Sequence, residues 1–227
     1  MERYGQEAKV LQLRKLWSKT PIVAVSFDTK SIFFVQLRKV KQSFCINYYA
    51  HEVINNAEKL NVEQFAVFLA SCITLHKLKH AHFAWSIKDK LIKAIPITAP
   101  RNLTPIEMVD FIKFDFASHN KHNSFTLFDF QILGSNKEQN DKQDVLVYVT
   151  HDLYVKNCLE SFKLAKLKLT YLDIESFVLN AFPNPVDRLI FKKNVNKTGL
   201  IQAASSFVLP CALAMRALEA KKVNMHL

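Results

Sequence analysis

Residues Thr20–Arg38, TPIVAVSFDTKSIFFVQLR, leave room for little besides a β-hairpin. Ile22–Phe27 and Ile32–Leu37 are β-branched or aromatic at most positions, and Asp28–Ser31 between them is polar. The stretch therefore predicts a buried strand, a tight turn and a second strand. Many folds use such a hairpin to hold the phosphates of a nucleotide. This one has the shape and lacks the residues. The chain has three glycines (Gly5, Gly134, Gly199) among 227 residues, and none is in the turn. A Gly-rich backbone cradle has nowhere to sit, and GxGxxG, GxxxxGK[ST] and GxSxG do not occur.

Composition sets the class. Apolar residues make up 49% of the chain, with 18 Phe and 2 Trp, which is enough for a sizeable core. No apolar run approaches the roughly 20 residues that span a bilayer, and the polar start has no signal-peptide pattern, so a soluble, cytoplasmic protein is expected. Cys45, Cys72, Cys158 and Cys211 are scattered without CxxC spacing, which predicts buried, reduced thiols. The net charge is +11, and more than half of it lies in residues 1–41. That balance suits an anionic partner, nucleic acid or the inner face of a membrane, and equally a solvated Lys-rich surface. No stretch interleaves aromatics with basic residues as a base-stacking surface does, so nucleic acid is not favoured.

Along the chain, residues 7–18 predict a basic amphipathic helix able to lie on a membrane or a partner, or simply to dock. Ser43–Val53 is a third strand, broken by Asn55 and Asn56. Asn61 caps a helix from Val62 to about Lys79, with Phe65, Phe68, Leu69, Cys72, Ile73 and His76 on its core face. Ala81–Ile87 is the next strand. Strand–strand–strand–helix–strand is how ribonuclease-H-like and actin-like half-domains begin. A second unit follows: strand Leu91–Thr98, a helix opened by the capping box Thr104-Pro105-Ile106-Glu107, and strands Ser124–Leu133 and Asp144–Thr150. In the helix, Ile106, Val109, Ile112 and Phe116 are expected inside. A helix from Asp152 to about Lys166, with Leu153, Val155, Cys158, Leu159 and Phe162 inward, and strand Leu167–Ile174 close the unit. Glu175–Phe182 is a short return helix ended by Pro183 and Pro185. Residues 186–198 are basic and weakly patterned. Leu200 to about Lys222 is a closing helix interrupted or kinked at Pro210.

Chemistry-bearing residues are sparse. His76, His80 and His82 are close together, the first two on one helix face if the helix extends that far, but no HExxH or Cys/His cluster completes a metal site. His119 and His122, in a polar helix exit, gain no more support, and His76 reads as a hydrogen-bonded core residue. A ribonuclease-H-like nuclease needs converging carboxylates, one on the first strand. That strand has Ser26 there, and Asp28, Asp89 and Asp173 are only loose candidates.

In these stretches the chain resembles the PilM family, actin-like cytoplasmic proteins of type IV pilus assembly. Ile22–Leu37 resembles the family's opening phosphate loop, a hydrophobic strand, Asp-Ile-Gly-Ser-Ser and a second strand. Leu91–Pro105 and Ile106–Ala117, with Phe114-Asp115, resemble its strand and following helix. Asp144–Ala181, DVLVYVTHDLYVKNCLESFKLAKLKLTYLDIESFVLNA, is similar to its strand, helix, strand and "VDVES-FAL" return. Cys211–Arg216 resembles its closing "GLALR". The four stretches come in the family's order.

The resemblance implies an α/β fold with mixed sheets: a ribonuclease-H-like/actin-like first lobe with an inserted small α/β subdomain. Residues 1–19 are a basic N-terminal segment, 20–87 with 174–222 the lobe, and 88–173 the insert. The departures are as informative. Ser26 stands at the family's first acidic position and Asp28 at its phosphate-loop glycine. With Thr29 and Ser31 these form a degenerate phosphate loop, and Ala212 replaces the closing glycine. Only the stretch between Ala181 and Ser205 stands where the family has its second lobe. No ATP or other cofactor, no metal and no catalysis are expected. What the resemblance leaves is a scaffold that binds the cytoplasmic tail of an inner-membrane PilN-like protein in a groove where the two units meet. Candidate groove residues are Ala84, Trp85 and Ser86 at the outgoing crossover, and Asp173, Glu175 and Ser176 at the return. Hinge packing and capping explain the same residues. Self-association and a peripheral membrane contact through the partner remain open. The alternatives are a type II secretion L-type cytoplasmic domain, an actin-like ATPase with residual nucleotide binding, and a basic nucleic-acid-binding protein.

Overall fold

The computed structural model describes residues 21–28, 30–54, 60–119, 127–150 and 152–223. Thr29, His122 and the N-terminal segment 1–19, each given a role above, lie outside the described residues.

In chain order the elements are β1 (Ile22–Phe27), β2 (Ser31–Val40), β3 (Ser43–Val53), α1 (Val62–Leu75), β4 (His82–Ile87), β5 (Ile92–Pro100), α2 (Pro105–His119), β6 (Leu127–Ser135), β7 (Lys142–Thr150), α3 (Asp152–Leu164), β8 (Lys168–Ile174), α4 (Glu175–Ala181), β9 (Leu189–Phe191), α5 (Lys197–Gln202) and α6 (Ala204–Val223). They divide into two compact units, residues 90–155 and the described residues on either side of them.

The larger unit is built on a six-stranded sheet in the order β8-β4-β1-β2-β3-β9. β2 runs antiparallel to both neighbours, and the other pairings are parallel. β1 has five of its six residues buried, as its unbroken apolar run requires of a strand covered on both faces. Val23, Val25, Ile32 and Phe34 face α1 and α3, meeting Leu69, Ile73 and Phe162. Ile22, Ala24, Val35 and Leu37 face α4, α5 and α6, meeting Val178, Leu200 and Leu213.

The smaller unit is a three-stranded antiparallel sheet in the order β5-β7-β6, with Ala99, Val145 and Val147 packed on Met108 and Ile112 of α2. Pro96 and Pro100 fall in β5, an edge strand, where a missing amide does least harm. The capping box holds: the Thr104 amide donates to Glu107 Oε2 at 2.7 Å, and the Glu107 amide to Thr104 Oγ1 at 3.3 Å. Asn61 and Gln64 form a second box at the start of α1.

Five expectations change. Strand β8, assigned above to the insert, pairs with β4 throughout its length and so belongs to the larger sheet. Ile106 is 76% exposed, and Met108, Phe111 and Phe116 join Ile112 on the core side of α2. Both sets fit a helical period, and packing against Ala99, Val145 and Val147 selects the second. Leu153 is likewise exposed. The closing helix is continuous through Pro210 and broken instead at Ala203, whose amide returns to the Gly199 carbonyl and ends α5. The weakly patterned stretch after α4 adds β9 beside β3, held by Leu189, Ile190 and Phe191 opposite Phe44, Cys45 and Ile46.

Candidate functional site

The carboxyl ends of parallel strands are where open α/β sheets place their ligands, because the strands stop there and the following helices begin. In the larger unit those ends belong to β1, β4 and β8. The register pairs Val25 with Trp85 and Ser86 with Asp173. Ser26, Ser86 and Asp173 thus form a row across three strands. Each lies two residues beyond a residue packed on the α6 side (Ala24, Ala84 and Tyr171), so the row faces α6. Ser26 is 5% exposed and Ser86 4%.

Asp173 is the one acid in this row and it is fully engaged. Its Oδ2 accepts from the Tyr171 hydroxyl and from Arg216 Nε, each at 2.5 Å, and its Oδ1 accepts from the Ile174 amide at 2.8 Å. Arg216 Nη1 also donates to the Phe177 carbonyl at 3.2 Å. Burial, and then the charge of Asp173, pushes the Tyr171 phenol well above its ordinary range, so it stays a donor. One guanidinium thereby ties the end of β8, α4 and α6 together. The stretches "DIES" and "CALAMR", matched separately to family motifs, meet at this ion pair.

The β1–β2 turn is closed by its own side chain. Asp28 Oδ1 accepts from the amides of Lys30 and Ser31, both at 2.7 Å, and the Asp28 amide donates to the Ser31 carbonyl at 3.0 Å. A phosphate at such a turn is held by backbone amides. Here a carboxylate takes two of them and adds a negative charge.

Of the proposed groove residues, Ala84, Trp85 and Ser86 are buried. Ala84 belongs to the core under α6, and Trp85 to the core under α1 and α3, against Phe27, Phe65 and Phe162 at centroid distances of 5.1–5.8 Å. Glu175 and Ser176 are half-buried at the start of α4, and the Ser176 amide donates to Asp89 Oδ1 at 3.1 Å. Asp89 thus caps a helix that has no capping side chain at its own N-cap, Ile174.

Two further features lie away from this row, and the first is the hydrogen-bonded His76 expected from the sequence. His76 Nδ1 is hydrogen-bonded to the Tyr48 hydroxyl at 2.6 Å, and Nε2 lies 2.8 Å from Glu52 Oε1, so the ring fastens the end of α1 to β3. Because α1 stops at Leu75, His76 and His80 share no helix face. Among the described residues no three His, Cys, Asp or Glu side chains converge as metal ligands. The other feature is a cleft of about 480 Å³ along β9, lined by Pro183, Pro185, Leu189, Phe191, Ile201 and Val208, with Asp187 and Lys197 among its polar lining. The four cysteines are free and buried, and burial pushes the Cys158 and Cys211 thiols up to about 12.

No family model matches the sequence, and no curated protein matches it. Solved structures do match. A chain of the PilM-PilN type IV pilus biogenesis complex superposes with a TM-score of 0.57 at 13% identity, covering 90% of this chain and 69% of that one. The fold is PilM-like. The cytoplasmic domain of EpsL, an inner membrane component of the type II secretion system of Vibrio cholerae, matches at a TM-score of 0.44 and 10% identity, over 70% of this chain and 59% of its own. A Bacteroides thetaiotaomicron protein of actin-like ATPase fold and unknown function matches at 0.38 and 13%, over 73% and 56%. At 13% identity the PilM-like match shows the fold alone. Among the described residues no helix is long and apolar enough to cross a membrane.

Proposed function

We propose that this chain is a non-catalytic, PilM-like adaptor of a type IV pilus or related secretion assembly that holds the cytoplasmic tail of an inner-membrane PilN-like protein. The observation that carries the proposal is the fold, shared along 90% of the chain with a chain of a complex that pairs PilM with PilN. The Asp28 turn supports the non-catalytic half. Two amides that would face a phosphate are already bonded to a carboxylate, and Asp173 is neutralised by Arg216 rather than left to bind a metal. The tail would meet the return at Glu175 and Ser176, half-buried members of the proposed groove.

The test is titration calorimetry of the full chain with a peptide from the cytoplasmic tail of a bitopic inner-membrane protein encoded beside it, and separately with Mg-ATP. Micromolar binding of the tail, weakened at least tenfold by Glu175→Lys, with no heat from ATP, is the expected result. Micromolar affinity for ATP would favour the actin-like ATPase reading. A tail that does not bind, beside DNA binding that falls steeply with salt, would favour the nucleic-acid reading instead.

A further inference from the structure

Helices α1 and α3 end alike. Leu75-His76-Lys77-Leu78-Lys79 and Leu164-Ala165-Lys166-Leu167-Lys168 share the pattern L-x-K-L-K. The backbone repeats the likeness. Lys77 and Lys166 both take left-handed conformations, at φ 55° and 57°. The Leu78 amide donates to the Ile73 carbonyl at 2.9 Å, and the Leu167 amide to the Phe162 carbonyl at 2.8 Å. The Lys77 and Lys166 amides reach back to the Thr74 and Lys163 carbonyls. Both are Schellman caps, with lysine where glycine is the usual occupant because it has no Cβ to crowd left-handed backbone.

In each cap the second leucine, Leu78 or Leu167, turns into the core beneath α1 and α3. The first leucine and both lysines of each pattern face outward: Leu75 is 66% exposed, Leu164 46%, and Lys77, Lys79, Lys166 and Lys168 are exposed as well. The two caps lead into neighbouring parallel strands, with His82 opposite Lys168, so they open on the same end of the sheet. β1 starts at that end too, since the His82 amide donates to the Pro21 carbonyl. Neither cap contains an acid.

We propose that this end of the larger unit docks on an anionic lipid surface, a contact the adaptor reading does not require. Clustered lysines suit any polyanion, and the exposed leucine in each repeat distinguishes among them. Beside a lysine, an apolar side chain gains free energy at the boundary between headgroups and acyl chains, and gains none on a phosphodiester backbone. Neither cap has a Phe, Tyr or Trp on which a base would stack.

The test is co-sedimentation of the full chain with phosphatidylcholine vesicles, with and without phosphatidylglycerol. Binding should need the anionic lipid and fall with added salt. Each lysine near such a surface is worth roughly fivefold, so Lys77→Asn with Lys166→Asn should weaken binding about 25-fold. Asn tolerates left-handed backbone, so the thermal midpoint of that variant should hold or rise, which separates lost binding from lost folding. Leu75→Ser with Leu164→Ser should weaken vesicle binding and keep its salt dependence. The proposal is overturned by equal binding to neutral vesicles, by no binding to anionic ones, or by indifference to the asparagine variant. It is also overturned if duplex DNA binds as tightly and the serine variant changes neither partner.

Discussion

On the face of the six-stranded sheet covered by α1 and α3, rings fill the space: Phe65 and Phe162 of the helices stack tilted or edge-on against Phe27, Phe83 and Trp85 of the sheet. On the opposite face the centre is small. Cys211, Ala212 and Ala214 of α6 come down on Ala24 and Ala84, and the rings of that face (Phe33, Phe44, Phe182 and Phe207) belong to β2, β3 and the surrounding helices. Volume decides what each face can do. Large rings hold helices off the sheet, whereas alanine against alanine lets α6 approach closely enough for Arg216 to reach Asp173 at the strand end.

If that contrast is right, the ring face should suffer from lost volume and the alanine face from added volume. Phe162→Ala is expected to cost about 4 kcal/mol in urea unfolding, through transfer and cavity together. A loss below roughly 1 kcal/mol would mean that the rings collapse to fill the gap. Ala214→Leu should cost about 2–3 kcal/mol by overpacking, although it adds apolar surface. A neutral result would show slack under α6. Asp173→Asn keeps the volume and removes the charge that faces Arg216. Since Arg216 is about one-third exposed, a loss of about 2 kcal/mol is expected, halved or better at high salt. The finest comparison concerns how dry the two faces are. Cys158 lies on the ring face and Cys211 on the alanine face, and burial raises both thiols from 9.0 to about 12. A raised thiol contributes stability that is present below pH 9 and lost as pH rises toward 12, by about 1.4 kcal/mol per pH unit for each thiol. Alkaline unfolding of Cys158→Ala and of Cys211→Ala should each show that slope reduced by the same amount. An unequal reduction would mark the wetter face.

The parts of this structure visible in the sequence are the local ones. Asn61 and the Thr104–Glu107 box cap their helices as their spacing dictates, because a cap involves residues three apart. The β1–β2 hairpin follows from two apolar runs around a polar turn. What depends on distant register was hidden. Asp173 and Arg216 each sit in a legible stretch, but their pairing needs β8 beside β4 and α6 across both, which no periodicity encodes. β9 escaped notice because three residues are too few to show alternation, and the L-x-K-L-K repeat because its meaning lies in two backbones that turn left-handed at the same step.

The smaller unit also bears on how the larger one assembles. β4 and β8 are neighbours in the sheet, yet roughly eighty residues separate them along the chain. In the smaller sheet Ile92 pairs with Thr150, and the Thr150 hydroxyl donates to the Leu91 carbonyl at 3.0 Å, so that unit's two ends lie side by side. Once the β5·β7 ladder has formed, the loop that remains to be closed is roughly twenty residues, which lowers the entropic cost of bringing β8 to β4 by about 1.2 kcal/mol. The expected order of events is insert first and sheet second, with the smaller unit as the splint that brings the edge strand β8 to β4.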